Sequence, residues 1–305
     1  MNAILLLEQA LNGLQFGLML FLLAAGLTLV FGIMDMINLA HGSLYMVGAY
    51  LIATCVAASG SFWIGLVAGV LATAVAGGLL ELMILRRLYQ RDHLSQVLGT
   101  FAILLMANEG VRMVWGTQPL ALNPPEALAG PVQLLPGFSY PAYRLFIIGM
   151  GLMVALTLYL LVTRTRVGMQ VRAGASNREM ALAMGTNVRR LFTALFALGA
   201  ALCAVAGGML GPLLAVQVGM GESILILAFV VIVIGGIGSI RGAFLGALLV
   251  GVVDTAGRTF IPVWFGQILG PDAAANAGPA VASILIYLLM AAVLFWKPKG
   301  LFPAH

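Results

Sequence analysis

Charge is the first thing this chain is short of. Only 8% of its 305 residues are Asp, Glu, Lys or Arg, where a soluble domain carries roughly 25%. So few ionic groups cannot cover a water-facing surface, which excludes a soluble enzyme or a soluble binding module of this length. Cysteine is equally scarce. Cys55 and Cys203 both sit in apolar runs and read as small buried hydrophobes, not as a disulfide framework. The three histidines, His41, His93 and His305, are scattered. None has the second His or Cys that a metal centre needs, and no His–Asp or Ser–His pairing offers a nucleophile with its base. The Gly-Lys-Ser/Thr ending of a phosphate-cradling loop is also missing, so the chain cannot hydrolyse ATP in that manner. No Lys or Arg precedes the first apolar run. The basic start of a secretory signal is therefore lacking, and the first helix is expected to be retained.

What the chain has is apolar length. Hydrophobic residues make up 62% of it and the mean hydropathy is +1.09. A spanning helix needs about 20 apolar residues to cross about 30 Å. Nine such segments are visible, at 11–33, 43–59, 62–84, 94–115, 144–163, 191–213, 223–236, 242–260 and 280–296. Several are short or broken by glycine, so eight to ten transmembrane or broken helices are expected. The fold class is an all-α polytopic membrane protein with one membrane domain over residues 1–305. Twelve of the 15 Lys and Arg residues fall in the intervals after the third, fifth and seventh segments and at the C-terminus. The positive-inside rule then puts the N-terminus outside and the C-terminus in the cytoplasm. The net charge of +5 reflects loops beside anionic lipid and not a nucleic-acid partner. The stretch 117–143 faces outward and is rich in proline, which suits an ordered external loop.

Glycines recur four residues apart at Gly13/Gly17, Gly65/Gly69, Gly207/Gly211 and Gly238/Gly242/Gly246. On a helix this spacing makes one face where another backbone approaches closely. Two stretches read as breaks instead: 32–42, with Asp35, Asn38, His41 and Gly42, and 235–242, with Gly235, Gly236 and Gly238. Each leads into a helix opening on Gly and a small residue, Gly42-Ser43 or Gly242-Ala243, and each is followed by a Gly-Ala pair. Interrupted segments in corresponding places suggest an internal repeat around a central pathway. Asp35, Asn38 and His41, spaced by three, would share one side of a helical turn. Polar groups at membrane depth line cavities; at the membrane edge the same residues would cap the next helix. Both readings stand. Asn108, Glu109 and Arg112, and the pair Asp254 and Arg258, read as ion pairs or as outer-vestibule contacts for a zwitterion. Gln217 and Glu222 follow a helix break expected at Gly211-Pro212.

The longest polar island spans residues 172–190 and lies between two apolar segments. Met180 to Met184 are good helix formers, bounded by Asn177 as N-cap and Gly185 as stop. Such a helix, parallel to the membrane, can insert into a groove on a partner. Small Ala181 and Ala183 would permit close approach, and Arg178 and Glu179 would set register by charge. The bland reading is a basic loop obeying the positive-inside rule.

Three regions carry a resemblance: 26–50, 176–185 and 228–246. In these the chain resembles the permease subunits of bacterial branched-chain amino acid ABC importers, closest to the LivH type. The island is similar to the EAA loop of such importers, Glu-Ala-Ala, three residues, then Gly: Glu179, Ala181 and Gly185 match and Met180 departs. The resemblance implies a multi-pass bacterial inner-membrane protein that works by alternating access, with a cytoplasmic coupling loop at 164–190. Its implied partners are two cytoplasmic ATPase subunits, a periplasmic substrate-binding protein, and a LivM-like permease or a second copy of itself. ATP would be used by the ATPases, with no cofactor on this chain. Urea, short amides or aromatic acids are alternative solutes. An ATP-independent channel or carrier is the alternative class, and it leaves the island unexplained.

Overall fold

A computed structural model describes residues 3–34, 36, 38–268 and 271–302. Helices dominate: α1 (Ala3–Met34), α2 (Ala40–Ser59), α3 (Phe62–Leu80), α4 (Arg86–Leu88), α5 (His93–Trp115), α6 (Ala142–Arg164), α7 (Arg166–Ser176), α8 (Arg178–Ala183), α9 (Val188–Leu214), α10 (Met220–Gly235), α11 (Ile240–Ile268) and α12 (Pro271–Trp296). Each of the nine apolar segments is a helix. Eight are long and apolar enough to cross a membrane. The ninth, α10, has 16 residues and rises about 24 Å, short of a full hydrocarbon core. Helices suit this composition because each satisfies its own backbone where no water can.

The stretch 117–143 holds a β-hairpin that the reading of an external loop did not contain. Strand β1 (Pro131–Leu135) pairs antiparallel with β2 (Phe138–Pro141), and Pro131 faces Pro141. Prolines at the open ends of a two-stranded ribbon cost no ladder bond, and Gly137, at φ +82°, supplies the turn.

The described residues form two compact units. One comprises 1–21, 126–153 and 229–305. There α1 lies on α11 through glycine: a Cβ at Gly13 would meet the Val252 Cα at 2.8 Å, and one at Gly251 would meet the Gly17 nitrogen at 2.4 Å. Phe21 and Phe244 meet edge to face at 5.1 Å. The hairpin is fastened to α1 by the Tyr140 hydroxyl, which donates to Asn12 Oδ1 at 2.8 Å. The chain after α12 returns to α10, where Leu301 N and Phe302 N donate to the carbonyls of Ile234 and Gly235. Two carbonyls left open by the end of α10 are thereby satisfied.

The other unit comprises 22–125 and 154–228. Its core is α2, α3 and α9. Gly65 and Gly69 press on Val56 and Ile52 of α2, Gly207 on the Tyr45 carbonyl, Gly48 on Ala204 and Gly77 on Ala200. On its outer face α3 turns Val67, Leu71, Val75 and Leu79 outward at four-residue spacing, as a lipid-facing stripe should be.

One expectation is corrected, and one pair of alternatives is decided. The helix does not break at Gly211-Pro212: α9 runs through Pro212 to Leu214 and stops at Ala215, φ 58°. So close to its C-terminus, a proline sacrifices only one internal bond. Gly238 shares no helix face with Gly242 and Gly246. It lies at φ +79° in the turn before α11, while Gly242 and Gly246 pack on Gly235 and Val231 of α10.

Substituting Gly235 by Ala would set a methyl 2.3 Å from the Gly242 carbonyl group, whereas Gly149 has open space. Gly235→Ala is expected to cost about 1–3 kcal/mol, read as a lowered melting temperature in detergent. Gly149→Ala should be neutral or slightly stabilising. Equal melting of the two proteins would refute backbone packing at the α10–α11 turn.

Candidate functional site

The island folds from local signals. Thr165 caps α7 and its hydroxyl accepts from Gly168 N at 3.1 Å. Asn177 caps α8, its Oδ1 accepting from Met180 N at 2.9 Å. Asn187 does the same for α9 from Arg190 N at 3.1 Å. After α8, Gly185 N donates to the Leu182 carbonyl and Thr186 N to the Ala181 carbonyl, each at 3.0 Å, with Gly185 at φ +83°. This paired closure is the left-handed glycine stop expected from the sequence. The corner between α6 and α7 is closed on backbone: a Cβ at Gly168 would meet the Val162 carbonyl oxygen at 2.2 Å. Arg172 donates to the same carbonyl.

Arg178 opens α8, and Glu179 is exposed in its first turn. Ala183 is exposed as well. Ala181 differs from the expectation: it is 4% exposed, turned toward its own chain, and offers a partner no surface. What α8 presents outward is Met180, 60% exposed, with Leu182 and with Met184, 80% exposed. Three large apolar side chains are thus exposed on a charged loop.

Next to the island a shallow groove of about 580 Å³ is lined by Leu82, Arg86, Asn187, Arg189, Arg190 and Thr193 among others. Beneath it lies a polar network that sequence reasoning missed. Glu81 is fully buried and opens a π-helical turn, Glu81–Leu85, between α3 and α4. Its carboxylate accepts from Thr193 Oγ1 at 2.6 Å, from the Tyr89 hydroxyl at 3.1 Å, and from Arg86 Nη2 and Nε at 3.3 and 3.4 Å. Arg86 Nη2 also donates to Thr193 Oγ1 at 2.9 Å. The available signal was a lone acid in an otherwise apolar span.

At the first break, α1 ends at Met34 and α2 starts at Ala40. Asp35 lies outside the described residues. Asn38 is buried, and its Oδ1 accepts from Ala40 N at 3.0 Å, as a cap does. Leu39 is in the helical region and His41 N donates to the Asn38 carbonyl at 3.4 Å, so one turn links Asn38 to His41. His41 is fully buried, with Nε2 3.1 Å from Cys203 Sγ. Gly26 and Gly199 leave it room: a Cβ on either would come within 2.9 or 3.2 Å of the imidazole. Gly42 lies against the Gly221 carbonyl of α10, 2.5 Å from where its Cβ would be. Thr28 Oγ1, Asn38 Nδ2 and Ser43 Oγ are buried without a hydrogen-bond partner among the described residues.

At the second break Gly235 ends α10, and Gly236 at φ +106° and Gly238 at φ +79° make the turn into α11. The remaining polar groups form pairs. Arg112 meets Glu109 at 3.1 Å in the open, Asn108 donates to Glu222 at 2.5 Å, and Arg258 meets Asp254 at 2.8 Å.

Fold and site together define a multi-pass α-helical membrane protein with a structured basic island between two spans. Comparison with known proteins is specific about which. Residues 9–294 match the family described as "Branched-chain amino acid transport system / permease component", and the chain belongs to that family. The permease protein BraD of the high-affinity branched-chain amino acid transport system of Pseudomonas aeruginosa is 30% identical over 97% of this chain and 95% of its own. The corresponding LivH of Escherichia coli is 26% identical over 96% of each chain. A probable LivH of Methanocaldococcus jannaschii is 28% identical over 93% of this chain and 88% of its own. No solved structure matches the chain.

The caps of α8 make a local prediction. Gly185→Val forces a branched residue to φ +83° and should cost about 1–2 kcal/mol. Asn177→Ala should cost about 1 kcal/mol. Hydrogen exchange of amides 180–186 should accelerate several-fold in both, with the spans unaffected. Unchanged exchange at Thr186 in Gly185→Val would show that the glycine stop does not hold the island.

Proposed function

We propose that this chain is the membrane-spanning permease of an ATP-driven importer and forms the pathway for branched-chain amino acids by alternating access. The observation that carries the reading is the match of residues 9–294 to the permease component of branched-chain amino acid transport systems. Relatives named for high-affinity branched-chain amino acid transport align over nearly the whole chain and support it.

The partners are two cytoplasmic ATPase subunits, a periplasmic binding protein that delivers the solute, and a LivM-like permease or a second copy of this chain. ATP is used by the ATPases, and no cofactor is bound here. The chain lies in the inner membrane with its N-terminus outside and its C-terminus in the cytoplasm, so the island faces the ATPases. Asn177, Arg178, Glu179, Ala183 and Gly185 shape the docking helix. Its exposed Met180, Leu182 and Met184 enter the ATPase groove, and Ala181 supports it from within.

Asp35, Asn38, His41 and Gly42 at the first break, with Gly235, Gly236 and Gly238 at the second, flank the pathway. Buried polar atoms normally find partners, and leaving them unpaired is costly. Thr28 Oγ1, Asn38 Nδ2 and Ser43 Oγ, without partners among the described residues, favour a polar route near the first break. The common plan of the two breaks, a helix end and a short turn before a glycine-opened helix, supports an internal repeat.

Uptake of radiolabelled leucine into proteoliposomes tests the reading. They would hold this chain, its partner permease, the ATPases and the binding protein, with and without ATP. Uptake should require ATP, and Glu179→Lys should reduce it about tenfold or more in assemblies of normal composition. ATP-independent uptake insensitive to Glu179 would make the protein a carrier. ATPase coupling through Glu179 without leucine uptake would redirect the search to urea, amides and aromatic acids.

A further inference from the structure

The network around Glu81 ties the end of α3 to the helix that leaves the island. We infer that Glu81, Arg86 and Thr193 form a coupling latch, through which displacement of the island moves α9 and α3 as one body. The inference rests on the importer reading above.

Place is the first argument. Thr193 stands in the second turn of α9, which starts at Val188 directly beyond the island's Gly185 stop. Any partner that moves the island pulls on this turn before it reaches the deeper part of α9.

Burial is the second. Glu81 is fully enclosed while its neighbours Leu82, Met83 and Ile84 face outward. A carboxylate there is costly unless every lone pair is occupied. Three side chains occupy them: two hydroxyls, from Thr193 and Tyr89, and the Arg86 guanidinium. A leucine would fill the same volume at less cost, so stability alone does not account for the acid. What the acid adds is direction.

Direction matters because the nearest part of the α3–α9 contact is glycine on alanine. A Cβ at Gly77 would meet Ala200 at 2.5 Å, and one at Gly78 would meet Ala197 at 3.7 Å. Faces of glycine and alanine bring backbones close but resist axial sliding poorly. The hydrogen bonds from Thr193 and Arg86 fix the axial register that the glycines leave free. The Tyr89 ring adds an edge-to-face contact with Phe192 at 5.5 Å, one residue before Thr193. The π turn at Glu81–Leu85 is the kind of helix irregularity that concentrates at functional sites.

The quantity to measure is leucine taken up per ATP hydrolysed, in proteoliposomes with the complete assembly, with detergent melting as a control. Thr193→Val removes the hydroxyl at nearly constant shape, and Thr193→Ser keeps it. Thr193→Val and Glu81→Gln are expected to lower the ratio about fivefold while hydrolysis continues, as the loss of one such bond implies. Thr193→Ser should stay near wild type. A ratio equal in all four proteins overturns the latch. So does loss of uptake and hydrolysis in parallel with a lowered melting temperature, which makes the network merely structural. The Thr193 pair decides even where Glu81→Gln does not assemble. Wild-type uptake that ignores ATP overturns the importer reading instead, and is seen before any variant is compared.

Discussion

Helices in lipid gain little by hiding apolar side chains from one another, because the lipid tails are as apolar as leucine. What holds these helices together is van der Waals contact at short range, and short range requires glycine. At Gly17, Gly48, Gly69, Gly207, Gly235 and Gly251 a single added Cβ would fall within 3 Å of a neighbouring backbone atom. Both compact units are built this way. With the packing faces given to glycine and the outer faces to leucine and valine, most charged groups fall at helix ends, breaks and the island, the Asp254–Arg258 pair within α11 being an exception. The sparse charge of the sequence and the close packing of the fold are thus one constraint seen twice.

What was legible in the sequence was whatever local physics decides. Apolar length decides spans, and all nine segments are helices. Side-chain caps act over three residues, so Asn177 and Gly185 could be assigned to the ends of α8 from spacing alone. What was missed depends on distant contacts. The hairpin at 131–141 needs β1 and β2 to find each other across a turn that six prolines between 119 and 141 disguise. The inward turn of Ala181 depends on how α8 settles on its neighbours, which periodicity over six residues cannot fix. Glu81 has meaning only beside Thr193, 112 positions along the chain.

Proline misled and glycine left two readings open, for one reason. Pro212 looked like a helix end and is not one, because a proline in the last turn forfeits a single bond. Gly238 fitted both a helix face and a break, and it makes the break, because its positive φ is a conformation that glycine adopts without strain. Each residue permits two structures, and the neighbouring packing chooses. Gly235 and Gly242 touch backbone to backbone only if the chain reverses between them, so the tight turn at Gly236 and Gly238 follows from the packing on either side.

A force on the island would enter the spans through its two ends. The island itself is held by three side-chain caps and one glycine stop, each worth about 1 kcal/mol. Its two exits differ in kind. Toward α6 the chain passes a corner at Gly168 where backbone meets backbone, a stiff joint. Toward α9 it passes the Asn187 cap and enters the turn that carries Thr193 and, through Glu81, the end of α3. Stiffness along a single helix moves that helix alone. The second exit joins two helices, and under the coupling inferred above it is there that a push on a small loop would become the displacement of a bundle.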